Sequence, residues 1–152
     1  MDDTESPTRC GVGIRGVAMT IDAFVWIALA IASVFAVGAA SGQLERSATG
    51  VEASLEGTLA AIGLALWLGL SISYHALAEW QFGKTLGKYL VGIRVVNADG
   101  STPSLWTLYV RNTLRLVDWL PGFYILGIGS VILSDQNQRL GDWIAGTAVV
   151  RS

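Results

Sequence analysis

Residues 15–38, RGVAMTIDAFVWIALAIASVFAVG, decide the fold. From Ala23 to Leu44 the chain carries no charge, and a helix needs roughly 20 mostly apolar residues to cross the hydrocarbon core of a bilayer. Asp22 stands at the edge of that run, and Arg15 lies seven positions upstream, nearly two helical turns away. An ionisable group at such depth is costly unless it is partnered, so Asp22 marks a functional-site hypothesis by default. On an ideal helix the two side chains lie on nearly the same face but about 10 Å apart along the axis, too far to pair directly. Arg111 and Arg115, further along the chain, are the cations expected to complete a charge network with Asp22. An aspartate in such a network is a candidate for taking up a proton or a monovalent cation.

Outward from this helix the pattern repeats. The first span is expected from about Gly16 to Gly38 and a second from about Gly57 to Leu77, separated by a loop with Glu45, Glu52 and Glu56 against Arg46. Arg9 and Arg15 flank the first span, and Lys84, Lys88, Arg94, Arg111 and Arg115 follow the second. The positive-inside rule therefore puts the N-terminus and the 79–118 segment in the cytoplasm and the acidic loop outside. Ala28, Ala32, Ala36 and Ala40 form one small-residue ridge, and Ala61, Ala65, Gly69 and Ser73 another. Such ridges let membrane helices approach closely, within one chain or in a homo-oligomer.

Composition agrees. The chain of 152 residues is 52% hydrophobic and 14% charged, well below the quarter typical of soluble domains. A net charge of −2 without a basic stripe argues against nucleic acid. A lone Cys10 excludes an intrachain disulfide and a cysteine metal cluster, and no metal or cofactor is expected. The segment 1–13 opens acidic, lacks a basic region and cleavage site, and reads as a disordered tail rather than a signal peptide. No nucleophile elbow, zinc motif or phosphate loop is present, so no enzyme is expected.

Beyond Glu79 the texture changes. Phe82-Gly83-Lys84-Thr85-Leu86-Gly87-Lys88-Tyr89 superficially suggests a phosphate loop, but Phe82 stands where a glycine is needed and Tyr89 where a hydroxyl is needed on a Ser or Thr. A short interfacial helix leading into the strand Gly92–Asn97 is expected instead, with Gly146–Val150 as its partner strand. Thr102-Pro103 reads as a helix start, running to about Asp118. On that helix Ser104, Thr107, Arg111, Arg115 and Asp118 form a narrow polar seam on an otherwise apolar cylinder. The seam lies either toward water at the interface or inward against Asp22. Trp119–Leu133 is apolar but short and broken by Pro121 and glycines, so it spans only with its flanks or re-enters.

On the second span Ser71, His75 and Glu79 share a face at four-residue steps, and His75 with Glu79 makes a candidate proton relay. The alternative is that the histidine is a hydrogen-bonding partner near a helix end.

Three segments resemble the RDD family of integral membrane proteins: Arg15 to Asp22, Gly83 to Val96, and Arg139-Leu140-Gly141-Asp142-Trp143-Ile144-Ala145-Gly146-Thr147. The resemblance implies an arginine opening the first helix, matched by Arg15, an aspartate within it, matched by Asp22, and a second aspartate, for which Asp142 is favoured and Asp118 competes. It also implies a role in transport, some members being linked to sodium/proton exchange. The resulting expectation is an all-α membrane protein: two long transmembrane helices, an amphipathic helix, a third short or re-entrant apolar helix, and a small cytoplasmic two-stranded sheet. Residues 14–152 form the transmembrane domain, multi-pass in the cell membrane with a cytoplasmic N-terminus. Its partners are the lipid bilayer, a proton or monovalent cation, and a second copy of the chain. The function is cation or proton transport, with a non-transporting scaffold held by structural charges as the alternative.

Overall fold

In the computed structural model, residues 10–118 and 140–152 are described. Helix α1 runs Val12–Ser41, followed by the strands β1, Leu44–Ser47, and β2, Gly50–Ala53. Helix α2 covers Gly57–Phe82, α3 Leu86–Leu90, β3 Ile93–Asn97, α4 Leu105–Asp118, α5 Leu140–Ile144 and β4 Thr147–Arg151. The expected third apolar segment, Trp119–Leu133, lies outside the described residues, as do residues 1–9.

Two helices, Gly13–Ser41 and Gly57–Phe82, are long and apolar enough to cross a membrane. Both extend past the expected ends. Ser41 closes the first by donating its hydroxyl to Val37 O, and Gly42 turns the chain away with φ 73°. Large apolar side chains such as Phe24, Ile27, Ile31, Ile62 and Leu64 are exposed along both. Such a surface suits lipid rather than water.

The chain divides into two compact units, Ala23–Ser71 and the combination of Met1–Asp22 with Ile72–Ser152. In the first, the indole N–H of Trp67 donates to Trp26 O at 2.9 Å, and the two rings meet edge to face. Trp26, Ser33 and Val37 make the buried face of α1. The alanine ridge is therefore on the wrong side for intrachain packing: Ala28, Ala32, Ala36 and Ala40 are exposed among the described residues, as are Ala61, Ala65 and Gly69. The bulky indoles, not the small ridge, carry that contact. The acidic loop is itself structured. β1 and β2 form an antiparallel hairpin with Ser47 opposite Gly50 across a two-residue turn, where Ser47 Oγ lies 3.1 Å from Thr49 Oγ1. Its four-residue strands are largely exposed and too short for an apolar alternation to announce them.

The second unit holds the expected sheet. β3 and β4 pair antiparallel, with Ile93 opposite Arg151 and Asn97 opposite Thr147. Ile93, Val95 and Val149 join one apolar cluster with Cys10, Ala18, Ala76 and Leu108, while Val96, Ala148 and Val150 form another. Both sheet faces are thus covered. Both edges are also met by main chain, Val95 N–H donating to Gly83 O and Cys10 N–H to Val149 O.

Helix α4 begins at Leu105 rather than at the expected Pro103. Ser104, not Thr102, caps it, its Oγ accepting the N–H of Thr107 at 3.2 Å. A proline at the position before the cap keeps the entering chain extended, which moves the cap onto Ser104. The buried face of α4 carries Leu108, Arg111 and Asn112, and Trp106 is exposed. Of the seam, Arg111 and Arg115 face inward, meeting Glu79, Asp142 and His75 rather than the expected Asp22, while Ser104 is exposed.

Candidate functional site

Among the described residues, three buried carboxylates organise the second unit, each delivered by a different element. Asp22 comes from α1, Glu79 from the last turns of α2, and Asp142 from α5. Each is at most 2% exposed. A buried charge of this kind survives only with partners on its lone pairs.

Glu79 is the most heavily bonded. Its Oε1 accepts the ammonium of Lys88, and its Oε2 accepts Arg111 Nη1 and Asn112 Nδ2, both at 3.1 Å. Asp142 takes guanidinium groups on both oxygens, Arg15 on Oδ2 and Arg111 Nε on Oδ1 at 2.7 Å. Arg111 therefore forks between the two carboxylates. The result is a continuous ladder of alternating charge, Arg15–Asp142–Arg111–Glu79–Lys88. Burial disfavours the Arg111 cation, but Asp142 and Glu79 outweigh it and raise its pKa above the ordinary guanidinium value. Burial of Lys88 prevails over the pull of Glu79 and pushes that ammonium down to about 8.

Asp22 belongs to a different arrangement. Its Oδ2 accepts the hydroxyl of Thr85 at 2.6 Å, and its Oδ1 accepts Gly87 N–H at 2.8 Å and, more weakly, Tyr74 OH at 3.4 Å. The carboxylate thus caps the first turn of α3, whose N-cap residue is Thr85. This docking demands glycine at 87, because a Cβ there would run into the carbonyl of Ala18 and come within 2.9 Å of Asp22 Cγ.

Between these groups lies a cavity of about 30 Å³, lined by charged Arg15, Asp22, Lys88, Arg111, Arg115 and Asp142 with apolar side chains such as Ile93 and Val149. That is room for a water or two, or one small ion. The family model for RDD matches residues 9–146. The chain belongs to the RDD family. No curated protein and no solved structure matches it.

In this RDD protein the opening arginine and the closing-motif aspartate, Arg15 and Asp142, are joined directly. The expected network of Asp22 with Arg15, Arg111 or Arg115 does not rest on hydrogen bonds of Asp22 to those groups in the described contacts: its hydrogen bonds go to Thr85, Gly87 and Tyr74, because α3 brings a main-chain N–H and a hydroxyl to it. Arg115 still feels its charge, and burial lowers the Arg115 pKa. Arg115 Nη1 donates to His75 Nδ1 at 3.2 Å, which places His75 beside α4, while Glu79, one turn on, faces the ladder. Asp118 ends α4, and its side chain lies outside the described residues.

Sequence reasoning missed Lys88, Thr85, Gly87, Asn112 and Tyr74 as members of the site. The glycine at 87 was the available signal: once the phosphate-loop reading fails, a glycine between Thr85 and Lys88 still asks for a close backbone approach.

Proposed function

We propose that this RDD protein is a small ion transporter of the cell membrane. Helices α1 and α2 cross the bilayer, the N-terminus and the α3–α4 segment lie in the cytoplasm, and the β1–β2 hairpin lies outside. The charged cavity is its ion-handling site. One observation carries the reading: beside the ion pairs that Arg15 and Arg111 make with Asp142, ionisable side chains on α1, α3, α4 and α5 still line an open space of about 30 Å³. Charges whose only task is to pin helices gain from eliminating such a space, since each void forfeits contacts.

The saturation of the carboxylates favours a second reading, a scaffold in which the ladder is purely structural. All six carboxylate oxygens of Asp22, Glu79 and Asp142 accept donors. In the transport reading, uptake of a cation or proton at any of them requires a rung to open; the Arg111 fork, shared between two carboxylates, is the rung whose release unloads Asp142 Oδ1 and leaves Glu79 Oε2 with Asn112 alone. Flux separates the readings. Purified protein in liposomes under an imposed ion or proton gradient should conduct above protein-free vesicles, and Asp142→Asn should abolish that flux while the protein still folds. Zero flux from folded wild-type protein sinks the transport reading.

Orientation is checked separately by cysteines introduced at Ser47 and Ser152 in a Cys10→Ser background. Opposite-side labelling by an impermeant thiol reagent is expected. Labelling of both from one side contradicts the topology.

A further inference from the structure

Helix α3 has two faces. Inward, Thr85 and Gly87 hold the carboxylate of Asp22 and Lys88 holds that of Glu79, so charge-assisted bonds fasten this five-residue helix along one side. Outward it presents Leu86, Tyr89 and Leu90, with Phe82, the last residue of α2, just ahead of them in the chain. All four side chains are more than half exposed. A helix this short does not hold itself together in water, so the inward bonds are what keep its apolar outer face in place.

The charges beside that face are of one sign. From Trp80 to Ala98 the chain carries Lys84, Lys88 and Arg94 and no carboxylate, and Lys88 is turned inward onto Glu79. Lys84 and Arg94 stay outside and lie together. A Cβ on Gly83 would stand 4.0 Å from Arg94 Cβ, and Gly83 O accepts Val95 N–H at 2.8 Å. Ser152 N–H donates to Gly92 O, which carries the β3–β4 register one step further and puts Ser152 on the sheet face of Arg94 and Val150. The Lys84 ammonium reaches that face, donating to Ser152 Oγ at 2.8 Å, and it lies 5.5 Å from the centre of the exposed Tyr89 ring. Among the described residues neither Lys84 nor Arg94 is ion-paired.

We propose that α3 lies in the cytoplasmic surface of the membrane, with Leu86, Tyr89 and Leu90 at the acyl boundary and an anionic phospholipid headgroup seated between Lys84 and Arg94. The patch begins where α2, a helix long and apolar enough to cross a membrane, ends at Phe82, which sets it at headgroup level. A tyrosine ring among aliphatic side chains with cations at its edge suits that level, and the negative headgroups of the leaflet supply the missing counter-charge. A second copy of the chain fits this face poorly, because a two-fold contact would set one all-positive patch against another. The inference rests on α2 crossing the bilayer and is independent of ion transport.

Two measurements on the full chain test it. In detergent, native mass spectrometry follows titration with phosphatidylglycerol, with phosphatidylcholine of the same acyl chains, and with inorganic phosphate. Phosphatidylglycerol should be retained over phosphatidylcholine and should not be displaced by phosphate. Lys84→Gln and Arg94→Gln should each weaken retention about fivefold and the pair about thirtyfold. Arg46→Gln, on the exposed β1–β2 hairpin, should leave it unchanged. In liposomes containing phosphatidylglycerol, spin labels at Leu64→Cys, Leu90→Cys and Asp99→Cys are compared in a Cys10→Ser background. Oxygen dissolved in the lipid should relax the first two labels, and an aqueous nickel chelate the third. A water-accessible label at Leu90→Cys beside a lipid-accessible one at Leu64→Cys overturns the α3 surface alone; a water-accessible label at Leu64→Cys defeats the crossing of α2 and the inference with it. Equal retention of the two lipids, displacement by phosphate, unchanged retention in the folded double variant, or dipolar broadening between Leu90→Cys labels on two copies each overturns the headgroup site.

Discussion

The main-chain N–H of Gly87 donates to Asp22 Oδ1 at 2.8 Å, across 65 residues of sequence. The aspartate at the edge of the first apolar run is thereby a docking point for a five-residue helix, and its charge is met by the hydroxyl and amide donors of that helix's first turn. Charge-assisted bonds of this kind are short and roughly twice as strong as neutral ones.

Gly87→Ala should therefore fail where most glycine substitutions in helices help. The added Cβ meets the Ala18 carbonyl and Asp22 Cγ, and backbone cannot swing aside as a side-chain tip can. A loss of about 1–3 kcal/mol or more is expected from forcing a methyl into that contact. Gly69→Ala is the control, since nothing lies within 4 Å of a Cβ there, and a gain of up to about 1 kcal/mol is expected from helix propensity. Thermal unfolding in detergent reads both. An unchanged melting point for Gly87→Ala contradicts the docking.

For Asp22 the hydrogen bonds set the order of damage. Asparagine can still accept Gly87 N–H and donate to Thr85, so Asp22→Asn should cost only about 1–2 kcal/mol, the difference between charged and neutral bonds. Asp22→Leu strands both donors and should cost about 3 kcal/mol or more. Neither loss should be recovered by also replacing Arg15 or Arg111, whose carboxylate partners are Asp142 and, for Arg111, also Glu79. Recovery in Asp22→Asn/Arg111→Gln would show that the two act as one pair after all.

Why this much was legible and no more follows from distance along the chain. The helices α1 and α2 are read from local apolar runs, and β3 with β4 from two β-branched stretches, because each signal is contained in its own segment. The α4 seam was visible as a polar stripe, but its direction was not: a stripe says which residues share a face, and only the carboxylates of Glu79 and Asp142 say what that face meets. Asp22 drew attention for its cost in an apolar helix, and the expected remedy was a cation. The actual partners, Thr85 and Gly87, are uncharged residues between the lysines Lys84 and Lys88, and nothing in their type announces a carboxylate. The β1–β2 hairpin has four-residue strands with Leu44, Val51 and Ala53 as their apolar residues, too short a run to leave a clear period.

Arg111 should be the least replaceable cation of the ladder. Removing it leaves Asp142 with Arg15, and Glu79 with Lys88 and Asn112, so two buried carboxylates each lose one rung. Arg111→Gln should cost about 3–5 kcal/mol, and Arg111→Lys should recover little, since a point charge cannot fork between two acceptors. Combined with Asp142→Asn the losses should fall short of additivity by about 1 kcal/mol or more. Strict additivity in that double-mutant cycle would remove the ladder as a coupled unit.

Lys88 gives the ladder a pH signature. Its ammonium faces Glu79 on α2 and the guanidinium groups of Arg111 and Arg115 on α4, and burial pushes it from an ordinary 10.5 down to about 8. Between those two values the unfolded chain holds a proton that the folded chain has released. The unfolded state then binds more protons, so this group's contribution to stability rises with pH across the window. Lys88→Met keeps most of the apolar stem and has nothing to titrate there, which makes it the reference. The stability of the wild type relative to Lys88→Met should hold steady below the folded value of about 8 and then increase toward 10.5. Denaturation of both proteins in one detergent over that range measures the difference directly. A difference that stays flat, or falls as pH rises, would mean that Glu79 holds the ammonium more tightly than burial loosens it.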